Sequence, residues 1–290
     1  MSNGKIKLKQ TESITLDNIV LNGGITNNTI KFINSDSGII LTSPDETRWR
    51  MTINTEGQLI TTTLDNPINY CPVVWLDART VTYDGSNNIT KWDDTSGNGY
   101  DATQAGTGST TYGLTAFNGT QSVVFSGDNS QYMTIEVGLT ISECTYFLVF
   151  EVESAPVVGS TLICDADELS SPGLDNKRLY WNGTSLINFR NGGPTPTPNV
   201  SSGGNNILAI RWENGPTASY RVNNGSWVST TVNGGSDTRK FNLGNWHDVD
   251  FSGGRPLGVN LSQVVIYDYL LSDYSGDAVF EYFNNLYSVY

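Results

Sequence analysis

Carboxylates are the residues of this chain whose spacing comes nearest to doing chemistry. Cleaving a glycosidic bond with retention takes two carboxyl groups about 5 to 5.5 Å apart. A strand reading E-x-D-x-E or E-x-D-x-x-E supplies them, because alternate side chains land on one face. Glu151-Val152-Glu153-Ser154 has two carboxylates at that spacing and lacks a third. Asp165-Ala166-Asp167-Glu168 has the density without the spacing. The single histidine, His247, would have to serve any serine–histidine relay. It lies in Gly244-Asn245-Trp246-His247-Asp248, a stretch that reads as a loop. One histidine and three cysteines are too few for a zinc centre built on several of each. No Walker A loop and no dinucleotide fingerprint is present. The expectation is a protein that is not an enzyme.

Three clusters have the chemistry of binding instead. Asn245, Trp246, His247, Asp248 and Asp250 combine an indole with amides and carboxylates. Saccharide sites are built this way: the ring stacks on apolar C–H faces and the polar groups take the hydroxyls. The competing reading is a loop that caps the core. Tyr180, Trp181, Asn188 and Arg190 form a similar set on an expected hairpin. Asp165, Asp167 and Glu168 offer hard oxygen ligands suited to Ca²⁺, the one cofactor the sequence suggests, although no complete ligand set is readable. Trp75, Trp212 and Trp227 fall within apolar runs and are expected in the core.

The elements that must position these residues read as strands. Gly, Asn, Ser and Thr are abundant and charged residues make up only 16%. Many short strands joined by turns have this composition. In residues 1–62, short apolar runs around Ile6, Ile14, Ile19, Ile30 and Ile39 alternate with turn signals, and Trp49, Met51 and Ile53 alternate with polar residues. Such a unit is too small and polar to stand alone comfortably. It is expected to pair with copies of itself or dock on a partner. Residues 63–72, with Asn66-Pro67 and Cys71-Pro72, read as a linker. From Val73 onward the expected strands are residues 73–76, 122–125, 132–135, 145–152, 161–164, 179–181, 207–212, 219–222, 227–232, 241–243 and 264–267. Tyr146 to Phe150 is apolar without a break, which fits a strand buried on both faces. Asn223-Asn224-Gly225 signals a hairpin. Gly192 to Pro198 is too rich in proline for a central strand and is expected as a stiff exposed loop. Only the end is helical: Ser272 is a capping residue, and Ala278, Val279, Tyr282, Phe283 and Leu286 recur at helical spacing.

Charge is uneven. Residues 1–62 hold six basic and six acidic residues, so the whole net charge of −13 falls on residues 63–290. An acidic domain repels phosphate backbones, which argues against nucleic acid as a partner. No stretch stays apolar for about 18 residues, so no membrane insertion is expected. No apolar core follows the first lysines, so no signal peptide is expected, and assembly in a cytoplasm is. Cys71, Cys144 and Cys164 are odd in number and irregular in spacing, which argues against a disulfide framework. Cys144 and Cys164 are expected as small buried residues.

Several segments then match one pattern in one order. Val74-Trp75-Leu76-Asp77-Ala78, Trp92 to Ala102 with its Ser96-Gly97-Asn98, Ser122 to Gly127, Tyr220 to Gly225, Phe241 to Gly244, and Val264 to Asp268 with Leu271-Ser272 resemble successive elements of the laminin-G-like, concanavalin-A-like jelly rolls. The resemblance covers residues 73–290 and implies an all-β antiparallel sandwich. Within it, Trp92 to Ala102 is expected to be structural: Asp94 and Asn98 bonding free N–H groups of a tight loop, with Trp92 an anchor beneath. Residues 42–59 are similar to a segment of tailed-phage fibre and appendage proteins, with Glu46 where that pattern has glycine. Together these imply a virion accessory protein. Residues 1–62 would join it to other virion proteins and oligomerise it, most simply as a trimer, and the jelly roll would bind host-surface glycans. A decoration protein that binds no sugar, a bacterial surface adhesion module and a glycan-cleaving enzyme are the alternatives, the last disfavoured by the carboxylate spacing.

Overall fold

The computed structural model describes residues 39–42, 48–53, 59–63, 67–105, 108–127, 131–152, 159–165, 178–181, 185–190, 193–194, 202–213, 215–232, 238–245 and 257–290, with residues 183, 198 and 200. The runs expected around Ile6, Ile14, Ile19 and Ile30 lie outside the described residues. Farther on, β1 (Ile39–Thr42), β2 (Arg48–Ile53) and β3 (Leu59–Thr63) form a three-stranded antiparallel sheet in the order β1-β2-β3. Leu41 is registered against Trp49, and Met51 against Thr61.

The other strands are β4 (Val74–Tyr83), β5 (Ile89–Asp94), β6 (Ala102–Gln104), β7 (Thr111–Phe117), β8 (Thr120–Ser126), β9 (Met133–Ile141), β10 (Cys144–Val152), β11 (Thr161–Asp165), β12 (Arg178–Trp181), β13 (Leu186–Arg190), β14 (Gly193–Pro194), β15 (Asn205–Trp212), β16 (Thr217–Val222), β17 (Val228–Thr231), β18 (Thr238–Leu243) and β19 (Gly258–Tyr267). The α-helix α1 (Asp273–Tyr287) follows. Among the described residues every pairing is antiparallel. The hydrogen-bonded path runs β14-β13-β12-β11-β18-β9-β6-β5-β4-β19-β10-β15-β16-β17, with β7 paired to β8 and β8 to β19. β4 bridges the layers. Its first residues pair with β19, and after a register shift its last residues pair with β5.

Alternation along the strands sorts side chains into two cores. Tyr146, Leu148, Phe150 and Val152 of β10 join Leu208, Ile210 and Trp212 of β15 between the sheets, facing Met133, Ile135, Phe241, Leu243, Leu179 and Trp181. Phe147 and Val149 of β10 point the other way, with Ile207, Ala209, Val265 and Tyr267, into a second core capped by Val279, Phe280 and Phe283 of α1. The unbroken run of Tyr146 to Phe150 is thereby explained: the helix dries the face that a bare sandwich would leave to water. Ser272 caps α1 by accepting from the Ser275 N–H at 3.1 Å. Two ion pairs fasten the helix, Arg211 to Asp273 and Arg221 to Asp277. Arg211 also lies over the Trp227 ring, 3.5 Å from its centroid. Trp75 and Trp212 are buried as expected, whereas Trp227 is only half-buried beneath that guanidinium.

Two expectations are amended. Residues 63–72 contain a 3-10 turn, Pro67–Tyr70, fastened to the sandwich. The Tyr267 hydroxyl donates to the Pro67 carbonyl at 3.1 Å, the Tyr269 hydroxyl donates to the Tyr70 carbonyl, and Tyr70 is buried. In the proline-rich stretch, Gly193–Pro194 forms a short edge strand on β13 and Pro198 is buried, so that stretch is not wholly exposed. Cys144 and Cys164 are buried, Cys71 is exposed, and all three are free thiols.

Candidate functional site

The loop from Trp92 to Ala102 is a clamp. Asp94 Oδ1 accepts from the Trp75 and Ser96 N–H groups at 2.8 and 2.9 Å, and Oδ2 accepts from the Tyr100 N–H at 2.9 Å and the Ser96 hydroxyl at 2.8 Å. Asn98 acts opposite to expectation. Its amide donates to the Val73 and Pro72 carbonyls instead of accepting from N–H groups. Gly97 and Gly99 hold φ of +93° and +78°, which only glycine adopts without strain, and Trp92 is fully buried beneath. Both carboxylate oxygens of Asp94 are thus committed to the fold, in line with a structural role for this element.

The sandwich face with more to offer lies on the outside of the layer formed by β5, β6, β9, β18, β11 and β12. Because Met133, Ile135, Phe241, Leu243, Leu179 and Trp181 point inward, their strand neighbours point out. Register lines up Lys91, Thr103, Thr134, Asn242, Cys164 and Arg178 across β5, β6, β9, β18, β11 and β12. Thr103 is exposed, Thr134 and Asn242 are 5% and 3% exposed, and Cys164 and Arg178 are buried. The row is open at one end and closed at the other. Thr134 donates to the Asn242 Oδ1 at 2.8 Å, and the Cys164 thiol donates to the Asn245 carbonyl at 3.8 Å. Arg178 lies over the Tyr180 ring, 4.6 Å from its centroid, and Tyr180 is half-buried. At the open end Lys240 pairs with Glu136 at 3.0 Å. Lys91 is paired with Asp93 and Asp101, whose hydrogen bonds hold its ammonium above the ordinary lysine range.

Among the residues proposed from sequence, β12 divides one pair. Tyr180 faces outward beside Arg178. Trp181, the next residue, is 3% exposed and packs between the sheets, so its ring is not a surface for stacking. Asn245 is fully buried, which leaves its amide no access to a ligand. It follows Gly244, where φ is +81° and a Cβ would stand 2.2 Å from the Phe125 ring. Trp246, His247, Asp248 and Asp250 lie outside the described residues. So do Asp167, Glu168 and the side chains of Asp165, Asn188 and Arg190. The expected hairpin is present as the β12–β13 pair, with Leu179 registered against Asn188. Among the described residues no three His, Cys, Asp or Glu side chains converge as metal ligands would. Sequence reasoning missed Arg178, Thr134 and Asn242. Period-two alternation against the apolar residues beside them was the signal.

The chain matches no family model and no curated protein. It does match solved structures. The Trypanosoma rangeli sialidase in complex with 2,3-difluoro-KDN aligns with a TM-score of 0.54 at 12% identity, over 85% of this chain and 44% of that one. The same sialidase in complex with sialic acid gives 0.51 at 15% identity, over 83% and 43%. The binding domain of botulinum neurotoxin DC in complex with SialylT gives 0.50 at 12% identity, over 74% and 52%. This chain therefore spans about half the length of those chains or less. The likeness is one of fold, an antiparallel β-sandwich of the jelly-roll kind.

Proposed function

We propose that this protein is a phage virion accessory component, a fibre or head or tail appendage, whose jelly roll binds glycans of the host surface without cleaving them. The observation that carries the binding part is the half-buried Tyr180 ring on a polar sheet face, with the buried Arg178 guanidinium over one side of the ring. A ring for sugar C–H groups next to hydrogen-bonding side chains is how saccharides are held. Solved structures of the same fold include complexes with sialic acid. The virion part is supported by the fibre-like sequence of residues 42–59, of which Thr42, Arg48–Ile53 and Leu59 lie in the strands β1, β2 and β3. In this reading residues 1–62 join the other virion proteins and form a homotrimer, and the particle is assembled in the host cytoplasm.

The test is binding of the full chain to a glycan array, with Ca²⁺ and with chelator, beside Tyr180→Ala. Specific binding that falls at least tenfold in the variant supports the reading. Loss with chelator alone assigns the site to a metal. A second reading, a decoration protein that binds no sugar, is favoured by the burial of Trp181 and Asn245. A clean negative from folded protein would overturn the first reading for the sugars sampled and favour this one.

A further inference from the structure

We propose that the tip of the β4–β5 hairpin together with β7 forms a second saccharide contact, a platform on Tyr83 that takes the apolar face of a neutral sugar ring. The proposal rests on the glycan-binding reading above and adds a place for it away from the Tyr180 face.

Tyr83 ends β4 and is 46% exposed. Its ring stacks on that of Tyr112 in β7, with centroids 4.8 Å apart and planes 19° from parallel. A ring held on one face by a neighbour presents the other to solvent. Leu114, two positions beyond Tyr112 on the same strand, is 64% exposed, the most open large apolar side chain among the described residues.

The hairpin beneath is stiff. The Asp84 carboxylate accepts from the Ser86 N–H at 2.8 Å, the Asn88 N–H at 2.9 Å and the Asn88 side-chain amide at 3.0 Å. Asn87 adopts φ of +62°, and its carbonyl accepts from the Tyr112 N–H at 2.9 Å, tying the hairpin to β7. The stacked pair is thus ordered before anything binds, and a ligand would lose little free energy to fixing it.

Size and charge select the ligand. A stable protein interface covers about 800 Å² on each partner, far more than one tyrosine and one leucine provide, whereas a single ring matches one sugar. Exposed Ser86 and Asn87 at the tip supply polar groups for hydroxyls. Among the described residues the cation on the same strand, Arg79, is already committed: its guanidinium is held by Asp77 through two bonds from Nε at 2.9 and 3.0 Å and a third from Nη2. Asp84 would repel an acidic sugar. The platform therefore suits a neutral saccharide.

The full chain, Tyr83→Ala, Tyr83→Phe and Tyr180→Ala would be compared on an array of neutral and acidic glycans, each first shown to be folded by its thermal midpoint. The expected result is binding of neutral glycans by the wild type, a loss of at least tenfold in Tyr83→Ala, and retention in Tyr83→Phe, which keeps the stacking ring. Wild-type binding that Tyr83→Ala leaves unchanged overturns this inference and leaves the glycan-binding reading standing. Binding of acidic glycans alone overturns the ligand class, and no binding by the wild type overturns both.

Discussion

Tyr180 and Trp181 are neighbours in β12 on opposite sides of one sheet, and replacing each by alanine should give opposite results. The Trp181 indole is 3% exposed between the sheets. Its backbone is held from both neighbours: its N–H donates to the Ser160 carbonyl at 2.7 Å and its carbonyl accepts from the Gly159 N–H at 2.6 Å on one side, and on the other it is registered against Leu186 of β13. The strand therefore cannot readily collapse into the space the indole leaves. Truncating a buried aromatic side chain of this kind costs about 3 to 5 kcal/mol. For a domain of this size, about 2 to 4 °C of melting temperature is lost per kcal/mol, so Trp181→Ala should melt about 6 to 20 °C lower. Tyr180→Ala removes a half-buried ring and should cost about 1 kcal/mol. The assay is urea unfolding followed by tryptophan fluorescence and circular dichroism, with glycan binding measured on the folded fraction of each variant. Trp181→Ala should be unstable yet bind normally when folded, and Tyr180→Ala should be stable and bind weakly. A Trp181→Ala protein of wild-type stability that has lost binding would refute the assignment of faces.

Three further outcomes follow from the geometry. Gly244→Ala should destabilise by about 2 to 5 kcal/mol in urea unfolding, because it adds a left-handed backbone cost to a Cβ 2.2 Å from the Phe125 ring. Asp94→Asn should cost about 2 to 4 kcal/mol, since an amide accepts at one oxygen only and strands the Tyr100 N–H or its counterpart. Tyr267 and Tyr287 are held above the ordinary tyrosine value of 10.0, chiefly by burial. Their protons are retained in the folded state and released in the unfolded one, so stability is intact below pH 10 and falls as pH rises beyond it. Melting temperature measured from pH 8 to 11.5 should drop above pH 10, and Tyr287→Phe should flatten that drop.

Most of the fold could be read from the sequence because apolar runs mark the strands that are buried on at least one face. The runs at 145–152, 207–212 and 264–267 all lie in the adjoining strands β10, β15 and β19, and the Ser272 cap and the stripe from Ala278 to Leu286 found α1. The strands that escaped are those whose outward residues dominate. Ile89-Thr90-Lys91-Trp92-Asp93-Asp94 carries two buried side chains among four polar ones, and Thr111 to Phe117 is interrupted by Gly113. The site was less legible for a different reason. Aromatic residues near amides suit a sugar and a core equally well, and only the parity of a residue along its strand decides between them. Tyr180 and Trp181 differ by one position, and no composition argument separates them. Tyr83 and Tyr112 drew no notice because they are far apart in sequence, and only the pairing of β7 with the hairpin stacks them.

The bonds from Tyr267 and Tyr269 to the Pro67 and Tyr70 carbonyls bear on how the domain answers a pull. Tension arriving along the chain from β1-β2-β3 reaches these two hydroxyls before it reaches the first strand pair, Val74 with Ile266. Both tyrosines belong to β19, which lies between β4 and β10, or to the turn just after it. The load is therefore delivered to an interior strand, between β10 and β4, and not to the edge strands β14 and β17.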